Sequence, residues 1–398
     1  MGAVSSASGR QVNRQARRKF AFLCFNTAFF VSHFRPAVAA ARAQGFELIA
    51  FLPEEPAEDC LGDVTVIRFL GRRTRFPFLR LLPNLYCVAL ALWRHRPDVV
   101  QAFSLQACVV LALAARLVRV RRKIYTVTGL GLIGVDTRWS SRMLRPLLYA
   151  LFRGASRGPS STFIFENTAD FKTLGLTEPF AARSRLLMGA GVDPEMFAPS
   201  PLPPLPPLKL ALVARMIWTK GIDIAVEAVS LLRTRGLPVE LDLYGHADQH
   251  NPQFFTEATL RRWGQMPGIR WHGHVADVPA IWRTHHLALC ASRGGEGLPR
   301  AMLEAAACGR AMIATRVPGC VDFVRPDIDG LLVEPNSAGA IADAIESLLH
   351  APERLAEMGR AARQRLVATA TEEIIIAQYA KLFAEIDAGL RSDHAPNE

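Results

Sequence analysis

Two glutamates, Glu296 and Glu304, flank the predicted start of a helix in a glycine-rich stretch, ASRGGEGLPRAMLEAAACG, at residues 291–309. The apolar run at 286–290 predicts a buried strand before it, and Pro299 suits the first helical turn, where its missing N–H would be unpaired in any case. Such a turn binds anions, because backbone N–H groups converge there and the helix dipole adds partial positive charge. The alternative is a purely structural strand–loop–helix unit.

Glu304 is the lone acid of the apolar segment 301–308. Burying a carboxylate is costly unless it is hydrogen-bonded, and each such bond is worth about 1.5–3 kcal/mol. A polyhydroxylated ligand supplies suitable donors, whereas a Glu304 that faces solvent needs none. The residue is therefore a candidate ligand contact.

Two basic residues, Arg215 and Lys220, lie between a predicted strand at 209–213 and a predicted helix at 222–235. Both charges flank a helix N-terminus, where a phosphate is stabilised. Gly245 directly follows the next predicted strand, 241–244. Together with the 291–309 stretch, these positions predict an anion site at one edge of a parallel sheet.

The first half of the chain offers candidates of a different kind. Polar residues and glycines follow predicted strands at 20–25, 124–127 and 162–165, and ligands of open α/β sheets bind at that edge. A solvated loop is the alternative for each. The candidates are Asn26, Thr27, His33 and Arg35 in the first connecting loop, Thr128, Gly129 and Gly131 in the glycine loop at 128–134, and Asn167 after the third of these strands.

The elements that carry these residues alternate between strand and helix, which is typical of parallel sheets. Six prolines in PSPLPPLPPL, at 199–208, predict a stiff polyproline spacer between two such units. We therefore expect an α/β protein with two doubly wound, Rossmann-like domains facing across a cleft. The expected division is a disordered basic terminus at 1–18, domains at 19–198 and 209–370 around the linker, and a helix at 371–390 that crosses back to the first domain.

Charge is distributed unevenly along the 398 residues. Residues 1–195 hold 27 Lys and Arg against 13 Asp and Glu. This surplus predicts a polyanionic partner, either an anionic membrane surface or a nucleic acid. Basic and large apolar residues alternate at 72–81, and a second basic cluster lies at 116–123. An interfacial segment has this composition, although a helix packed on its own domain remains open.

The seven cysteines show no CxxC or His-interleaved spacing, so the sequence predicts no metal site and a reducing compartment. No apolar run reaches the roughly 20 residues that span a bilayer. We expect no transmembrane helix and no secretory signal.

The ordered motifs GVDPEMF, ARMIWTKGIDIAVEA, DLYGHAD, IRWHGHVADVPAIW, the 291–309 stretch and DGLLVEP resemble the retaining glycosyltransferases of family 4, which have the GT-B fold. The resemblance covers roughly residues 164–379. TVTGLGLIG and FIFENTADF are similar to the branch that elongates polyprenyl-diphosphate-linked sugars for bacterial surface polysaccharides. This resemblance implies a peripheral enzyme on the inner face of the cytoplasmic membrane. Such an enzyme moves a hexose or N-acetylhexosamine from a nucleotide sugar, most simply UDP-linked, to a lipid-linked saccharide.

The resemblance also implies roles for individual residues. Glu296 and Glu304 occupy the paired-glutamate motif, which places the first at the donor sugar and the second at the ribose. Arg215 and Lys220 would hold the diphosphate without a metal or cofactor and act catalytically with Glu296. The remaining donor contacts would come from Gly245 and from the backbone of Gly297, Leu298 and Pro299.

The chain departs from the family at two positions on the acceptor side. Thr128 stands where many members have a histidine, and Asn26 and Thr27 replace a glycine pair. No general base is therefore assigned. Two other classes stay open from sequence: a GT-B sugar-nucleotide epimerase, and a basic nucleic-acid-binding or membrane-binding protein without catalysis.

Overall fold

The computed structural model describes residues 17–56, 60–69, 81–131, 139–156, 160–174 and 181–392. The expected disordered terminus up to residue 16, the basic aromatic segment up to residue 80 and residues 132–134 of the glycine loop lie outside these ranges.

The first parallel sheet has seven strands in the order β3-β2-β1-β4-β5-β6-β7. Its central strands are buried along most of their length, as expected for a sheet covered on both faces. Its strands are β1 (Lys19–Leu23), β2 (Glu47–Leu52), β3 (Thr65–Arg68), β4 (Val99–Phe103), β5 (Arg122–Val127), β6 (Ser161–Phe165) and β7 (Ser184–Leu186).

Helices cover both faces of this sheet. One face packs on α1, α2 and the last helix of the chain, and the other packs on the three helices α3 to α5 and on the short α6. These helices are α1 (Thr27–His33), α2 (Arg35–Ala43), α3 (Leu81–His95), α4 (Leu105–Leu117), α5 (Trp139–Ser156) and α6 (Thr168–Thr173).

The second parallel sheet has six strands in the order β10-β9-β8-β11-β12-β13. Its strands are β8 (Leu208–Val213), β9 (Val239–Tyr244), β10 (Ile269–Trp271), β11 (Leu287–Cys290), β12 (Ala311–Thr315) and β13 (Gly330–Val333). Its helices are α7 (Ile222–Thr234), α8 (Glu257–Gly264), α9 (Val278–Thr284), α10 (Arg300–Ala307), α11 (Cys320–Phe323), α12 (Ala338–Leu349) and α13 (Pro352–Thr369). Two parallel α/β units confirm the predicted fold class.

The last helix, α14 (Glu372–Ser392), belongs by its contacts to the first sheet. A short break separates it from α13, and there the chain bonds to Val192: Val192 N–H donates to Ala370 O, and Glu372 N–H donates to Val192 O. Apolar residues of α14, among them Phe383, then pack with Phe20 of β1.

Two predicted segments differ in the structure. The first connecting loop contains a helix, α1, because the Asn26 side chain caps it by accepting from Phe29 N–H. The proline-rich linker is bonded along its length to the second domain: Arg310 donates to the Ser200 and Pro201 carbonyls, and His286 Nε2 donates to Pro203 O. These hydrogen bonds therefore hold the linker against the second domain.

The basic cluster at 116–123 is largely engaged within the protein. Arg121 donates to Asp98 and to Leu390 O, Arg122 donates to Gly389 O, and Lys123 donates to Ser160. These contacts tie the start of β5 to α14, so Arg121, Arg122 and Lys123 are engaged within the protein, whereas Arg116 and Arg119 of the same cluster are exposed. Among the residues described here, no helix is both long and apolar enough to cross a membrane.

Candidate active site

The loop between β11 and α10 brings Glu296 onto Lys220. The Lys220 ammonium forms an ion pair with Glu296 Oε2, and Ser292 Oγ donates to Glu296 Oε1 at 2.6 Å. Both charged side chains are mostly buried, with 19% and 15% of their side-chain surface exposed. Two predicted site residues 76 positions apart therefore meet in one charge pair.

Lys220 is held in place by its own short turn. A 3-10 helix, Trp218–Lys220, ends at Gly221, whose φ of 65° and close approach to Ala291 O both require glycine. Arg293 belongs to the loop between β11 and α10, residues 291–299, which we call the donor loop. It holds the turn against this loop, because its guanidinium donates to Trp218 O and pairs with Asp223 at 2.8 Å. The ammonium position is thus set before any ligand binds.

Glu304 is buried on the second turn of α10. Arg300 Nε donates to Glu304 Oε1 at 2.8 Å, one helical turn away. Burial raises the pKa of Glu304, and the Arg300 charge opposes that rise. The helix begins at Arg300, one residue later than expected, with Pro299 as an extended N-cap residue.

Arg215 lies on the same side of the second sheet, with its guanidinium paired to Asp248 at 2.7 Å. The arginine keeps 43% of its side-chain surface exposed, so it can still contact a ligand. Gly245 has a backbone role here: its N–H donates to Gly273 O at 2.6 Å, and an added Cβ would collide with Ala214 O.

His33 extends from α1 toward these cations. Burial, followed by the charges of Arg300, Lys220 and Arg215, lowers the pKa of His33 to about 3. Its Nδ1 lies 2.7 Å from Ser32 Oγ. A predicted acceptor residue of the first domain thus lies in the electrostatic field of the predicted donor residues of the second.

The other residues of the first connecting loop have different positions. Arg35 lines a small cavity between the domains together with Ser32 and Arg300. Asn26 caps α1, and Thr27 Oγ1 donates to Glu54 O at 2.9 Å. The polar groups of Asn26 and Thr27 are therefore used in folding this loop.

Two glycine loops meet across the cleft through their backbones. Gly131 N–H donates to Gly295 O at 2.7 Å, and Gly297 N–H donates to Thr128 O at 3.0 Å. Gly129 has a φ of 110°, and an added Cβ would lie 2.5 Å from Gly295 O. Only glycine permits this approach.

A second contact across the cleft comes from the start of α6. Asn167 Nδ2 donates to Glu296 O at 3.1 Å, and Leu298 N–H donates to the Glu166 carboxyl at 3.4 Å. Thr168 adds two bonds to the Asp322 carboxylate, from N–H and Oγ1. We call residues 166–168 the α6 clasp.

The clasp and the glycine loop bear on the predicted donor contacts of the backbone at 297–298. The N–H groups of Gly297 and Leu298 were expected to face a diphosphate, but in this structure both donate to the first domain. Burial, with the nearby charge of Asp170, raises the pKa of Glu166 to about 8 against the opposing Leu298 N–H. A protonated Glu166 is the form that burial between the domains favours.

Sequence reasoning missed four residues of this site. Ser292 and Arg300 lie four positions from Glu296 and Glu304, a spacing that could have indicated their pairing. Asp248 and Glu166 come from distant segments, and nothing local in the sequence links them to Arg215 or Leu298.

Of the seven histidines at 209–370, the sequence shows no recognisable ligand set for His246, His272, His274, His285 and His286, and a structural role is expected for each of these five. His272 and His285 both contact the Asp242 carboxylate, at 2.8 and 2.9 Å, and His286 joins β8 to the linker. Across the described ranges, no group of three or more His, Cys, Asp or Glu side chains could hold a metal ion.

Comparison with solved structures identifies the class of fold. Sucrose-phosphate synthase from Thermosynechococcus elongatus superimposes with a TM-score of 0.76 at 18% identity, over 94% of this chain and all of that one. HepE from Anabaena, in complex with UDP-glucose, gives 0.71 at 18% identity over 92% of this chain and 99% of that one. The chain has the GT-B fold of glycosyltransferases.

Family models and relatives then define the family. The model of glycosyl transferases group 1 matches residues 207–351, and that of glycosyl transferase 4-like proteins matches 19–166. A Campylobacter jejuni protein, N,N'-diacetylbacillosaminyl-diphospho-undecaprenol alpha-1,3-N-acetylgalactosaminyltransferase, is 24% identical over 375 residues, or 89% of this chain and 96% of that protein. A putative colanic acid biosynthesis glycosyltransferase of Escherichia coli is 28% identical over 48% of this chain and 49% of its own length.

This chain belongs to the group 1, family 4-like glycosyl transferases and is a glycosyltransferase. The epimerase and the non-catalytic binding protein, which the sequence left open, are therefore set aside.

Proposed function

We propose that the enzyme transfers a hexose or N-acetylhexosamine from a UDP-sugar to a polyprenyl-diphosphate-linked saccharide, with retention of the anomeric configuration. The observation that carries this proposal is the Lys220–Glu296 pair at the interdomain cleft, with Arg215 and Glu304 on the same sheet edge. Each part of a nucleotide sugar then has a matching group. Arg215 and Lys220 match the diphosphate, Glu304 matches the ribose, and Glu296 matches the hexose.

The cations have the larger catalytic role in this proposal. Breaking the glycosidic phosphate bond builds negative charge on the leaving diphosphate, and Arg215 and Lys220 stabilise it without reorganising. Removing one such preorganised donor costs about 2.7–4 kcal/mol in other enzymes. No metal or other cofactor is required for this charge balance.

Glu296 then orients the donor sugar. Ser292 and Lys220 fix both of its carboxylate oxygens, so each oxygen keeps a lone pair for a sugar hydroxyl. Glu304 accepts from ribose hydroxyls in the same way, beside Arg300.

The acceptor is assigned to the first domain. The names of two relatives, one acting on a diphospho-undecaprenol-linked sugar and one in colanic acid biosynthesis, support a lipid-linked saccharide in surface polysaccharide assembly. Acceptor contacts are proposed at His33, Arg35, Thr128, Gly129, Gly131 and Asn167, with Asn26 and Thr27 in supporting positions. The enzyme acts on the inner face of the cytoplasmic membrane as a peripheral protein.

A donor screen followed by a transfer assay tests this function. UDP-sugars and GDP-sugars are compared for thermal stabilisation, since a ligand that binds only the folded state stabilises it in proportion to affinity. The best donor is then incubated with an undecaprenyl-diphosphate-linked saccharide, and the product's anomeric configuration is read by NMR. Stabilisation by no UDP-sugar, or an inverted product, contradicts the proposal.

A further inference from the structure

Large apolar side chains are exposed on the three helices that cover one face of the first sheet. Among the described residues, seven of the thirteen large exposed hydrophobics lie on these helices, and the other six are scattered over other elements. The most exposed are Leu82 (75%), Tyr86 (68%), Trp93 (60%), Leu117 (69%), Met143 (66%) and Leu147 (67%). We call this surface the α3–α5 face.

The exposed residues of α3 form a stripe. Leu82, Tyr86 and Trp93 are spaced by four and seven residues, which places them along one side of the helix. The buried residues, among them Val88 and Leu92, lie on the opposite side against the sheet. The helix is thus apolar on both sides, and only one of them has a partner within the protein.

Charge on this face has a single sign. The described sequences of α3, α4 and α5 contain no Asp or Glu, whereas α14 on the opposite face carries Glu373 and Glu385 among its acids. Arg94 and Arg116 are exposed at the ends of α3 and α4, and Arg119 is exposed just beyond α4. The exposed apolar residues and these arginines at the helix ends, which we call the basic border, thus share the face, and no acidic residue of the three helices offsets the positive charge.

The face also has a defined relation to the cleft. In a right-handed strand–helix–strand unit the helix runs antiparallel to the strands, so its N-terminal half lies near their carboxyl ends. Leu82, Met143 and Leu147 belong to those N-terminal halves. They therefore lie on the side of the domain where Thr128 and Asn167 border the cleft.

We propose that the α3–α5 face docks on a bilayer that contains anionic phospholipids, and this proposal rests on the membrane location in the proposed function. Side chains such as Leu82, Tyr86 and Trp93 enter the headgroup and acyl boundary, while the arginines meet lipid phosphates. A nucleic acid fits less well, because its binding is dominated by phosphate contacts to Lys and Arg, which the seven large exposed apolar side chains of this face do not supply. A lipid-linked acceptor would then reach the cleft without leaving the membrane.

Vesicle flotation tests the apolar part of this surface. The intact chain is mixed with phosphatidylcholine vesicles that contain or lack phosphatidylglycerol. L82Q, Y86Q and W93Q are combined, and L231Q, I328Q and V367Q provide a control of three exposed apolar residues elsewhere. The first triple variant is expected to lose about tenfold or more of its vesicle affinity, and the control is expected to keep it. Equal binding by both variants overturns the proposal.

A second variant tests the charges. R94Q, R116Q and R119Q together should remove the preference for phosphatidylglycerol and the salt sensitivity of binding. An unchanged lipid preference contradicts the basic border, and binding to single-stranded RNA in place of vesicles would assign the face to a nucleic acid.

Two controls separate this surface from the enzyme's function. Thermal unfolding shows that each variant folds, and sugar transfer to a detergent-dispersed acceptor reports the active site without a bilayer. Normal transfer with lost vesicle binding supports the docking surface. Vesicle binding without any transfer would instead contradict the proposed reaction and leave the docking surface intact.

Discussion

The two sides of the cleft are built by different means. On the carboxyl-terminal side, charged candidates have charged partners: Lys220 with Glu296, Arg215 with Asp248, and Arg300 with Glu304. On the amino-terminal side, the candidates that line the cleft are mostly glycines, amides and one neutral histidine. Their bonds across the cleft run mainly to the backbone of the donor loop.

This difference fits the two ligands that we propose. A diphosphate carries its recognition in its charge, so paired side chains that can exchange partners suit it. An uncharged saccharide is bound by shape and by individual hydrogen bonds. The charges of the carboxyl-terminal side nevertheless act across the cleft, because Arg300, Lys220 and Arg215 add to burial in lowering the pKa of His33.

The largest effect is expected at the centre of the charged side. K220A removes the cation nearest the proposed leaving group and should lower kcat by about 10²–10³-fold. K209A, on the strand β8 of the same sheet, is the matched control. A K220A enzyme that folds normally and keeps its kcat would place the leaving-group charge elsewhere.

A smaller effect is expected at the ribose. E304A removes a buried carboxylate and should weaken UDP binding by about tenfold to a hundredfold, with the KM for acceptor unchanged. Isothermal titration with UDP measures this, and E334A, whose side chain is 72% exposed, is the control. Equal loss of donor and acceptor affinity would show that the two sides are not separable.

Why the charged side was easier to predict follows from its locality. Glu296 and Glu304 lie on one loop and the helix that follows it, so the sequence could place both of them beside one helix start, although it missed their partners Ser292 and Arg300. The amino-terminal side depends on loops that follow different strands, and its contacts join residues such as Asn167 and Glu296 that are 129 positions apart. Local patterns contain the strand and the turn but not the partner across the cleft.

The same reasoning applies to the fold. Alternating apolar runs predicted both sheets, because buried parallel strands need them. The helix after β1 was missed, since its strongest signal was a single capping residue, Asn26. The sequence alone could not show that Arg121 and Arg122 of the basic cluster are engaged within the protein, because their partners, Asp98 and the end of α14, are remote in sequence.

The neutral side can be tested through its glycines. G129A should lower kcat/KM by about tenfold more than G131A, since both have positive φ but only Gly129 has backbone atoms of the other domain against its Cβ position. The φ of 58° at Gly131 lies in the left-handed helical region, which alanine tolerates better than the φ of 110° at Gly129, so the unfolding free energy of each variant is measured beside kcat/KM to account for backbone strain. Equal losses would show that contact between the two glycine loops contributes nothing to turnover.

A spectroscopic effect is expected at His33. Its pKa of about 3 reflects burial and three cations, so a bound diphosphate should raise it by neutralising part of that charge. NMR titration of the imidazole with and without UDP measures the change, and H33Q assigns the signal. The direction of the change in the His33 pKa decides the test. A pKa that stays constant or falls on UDP binding would mean that the diphosphate binds away from Arg215 and Lys220.

The smallest effect on activity is expected in the α6 clasp. Glu166 has a pKa of about 8 in the folded protein against an ordinary value of 4.5. The folded state therefore holds its proton more tightly, and the stability it contributes is complete below pH 4.5 and is lost as the pH rises toward 8. E166Q resembles the protonated form, so it should keep activity and make the unfolding free energy less dependent on pH in this range.

Denaturant unfolding at several pH values measures this slope, which is at most about 1.4 kcal/mol per pH unit for one proton. Asp170 titrates nearby, with a pKa raised mainly by burial to about 6, so E166Q should reduce the slope without removing it. The paired variant D170N should reduce the slope further, because the raised pKa of Asp170 contributes in the same direction. If E166Q instead makes the slope steeper, Glu166 is ionised in the folded protein. In that case the bond from Leu298 N–H, which lowers the pKa of Glu166, outweighs the burial that raises it.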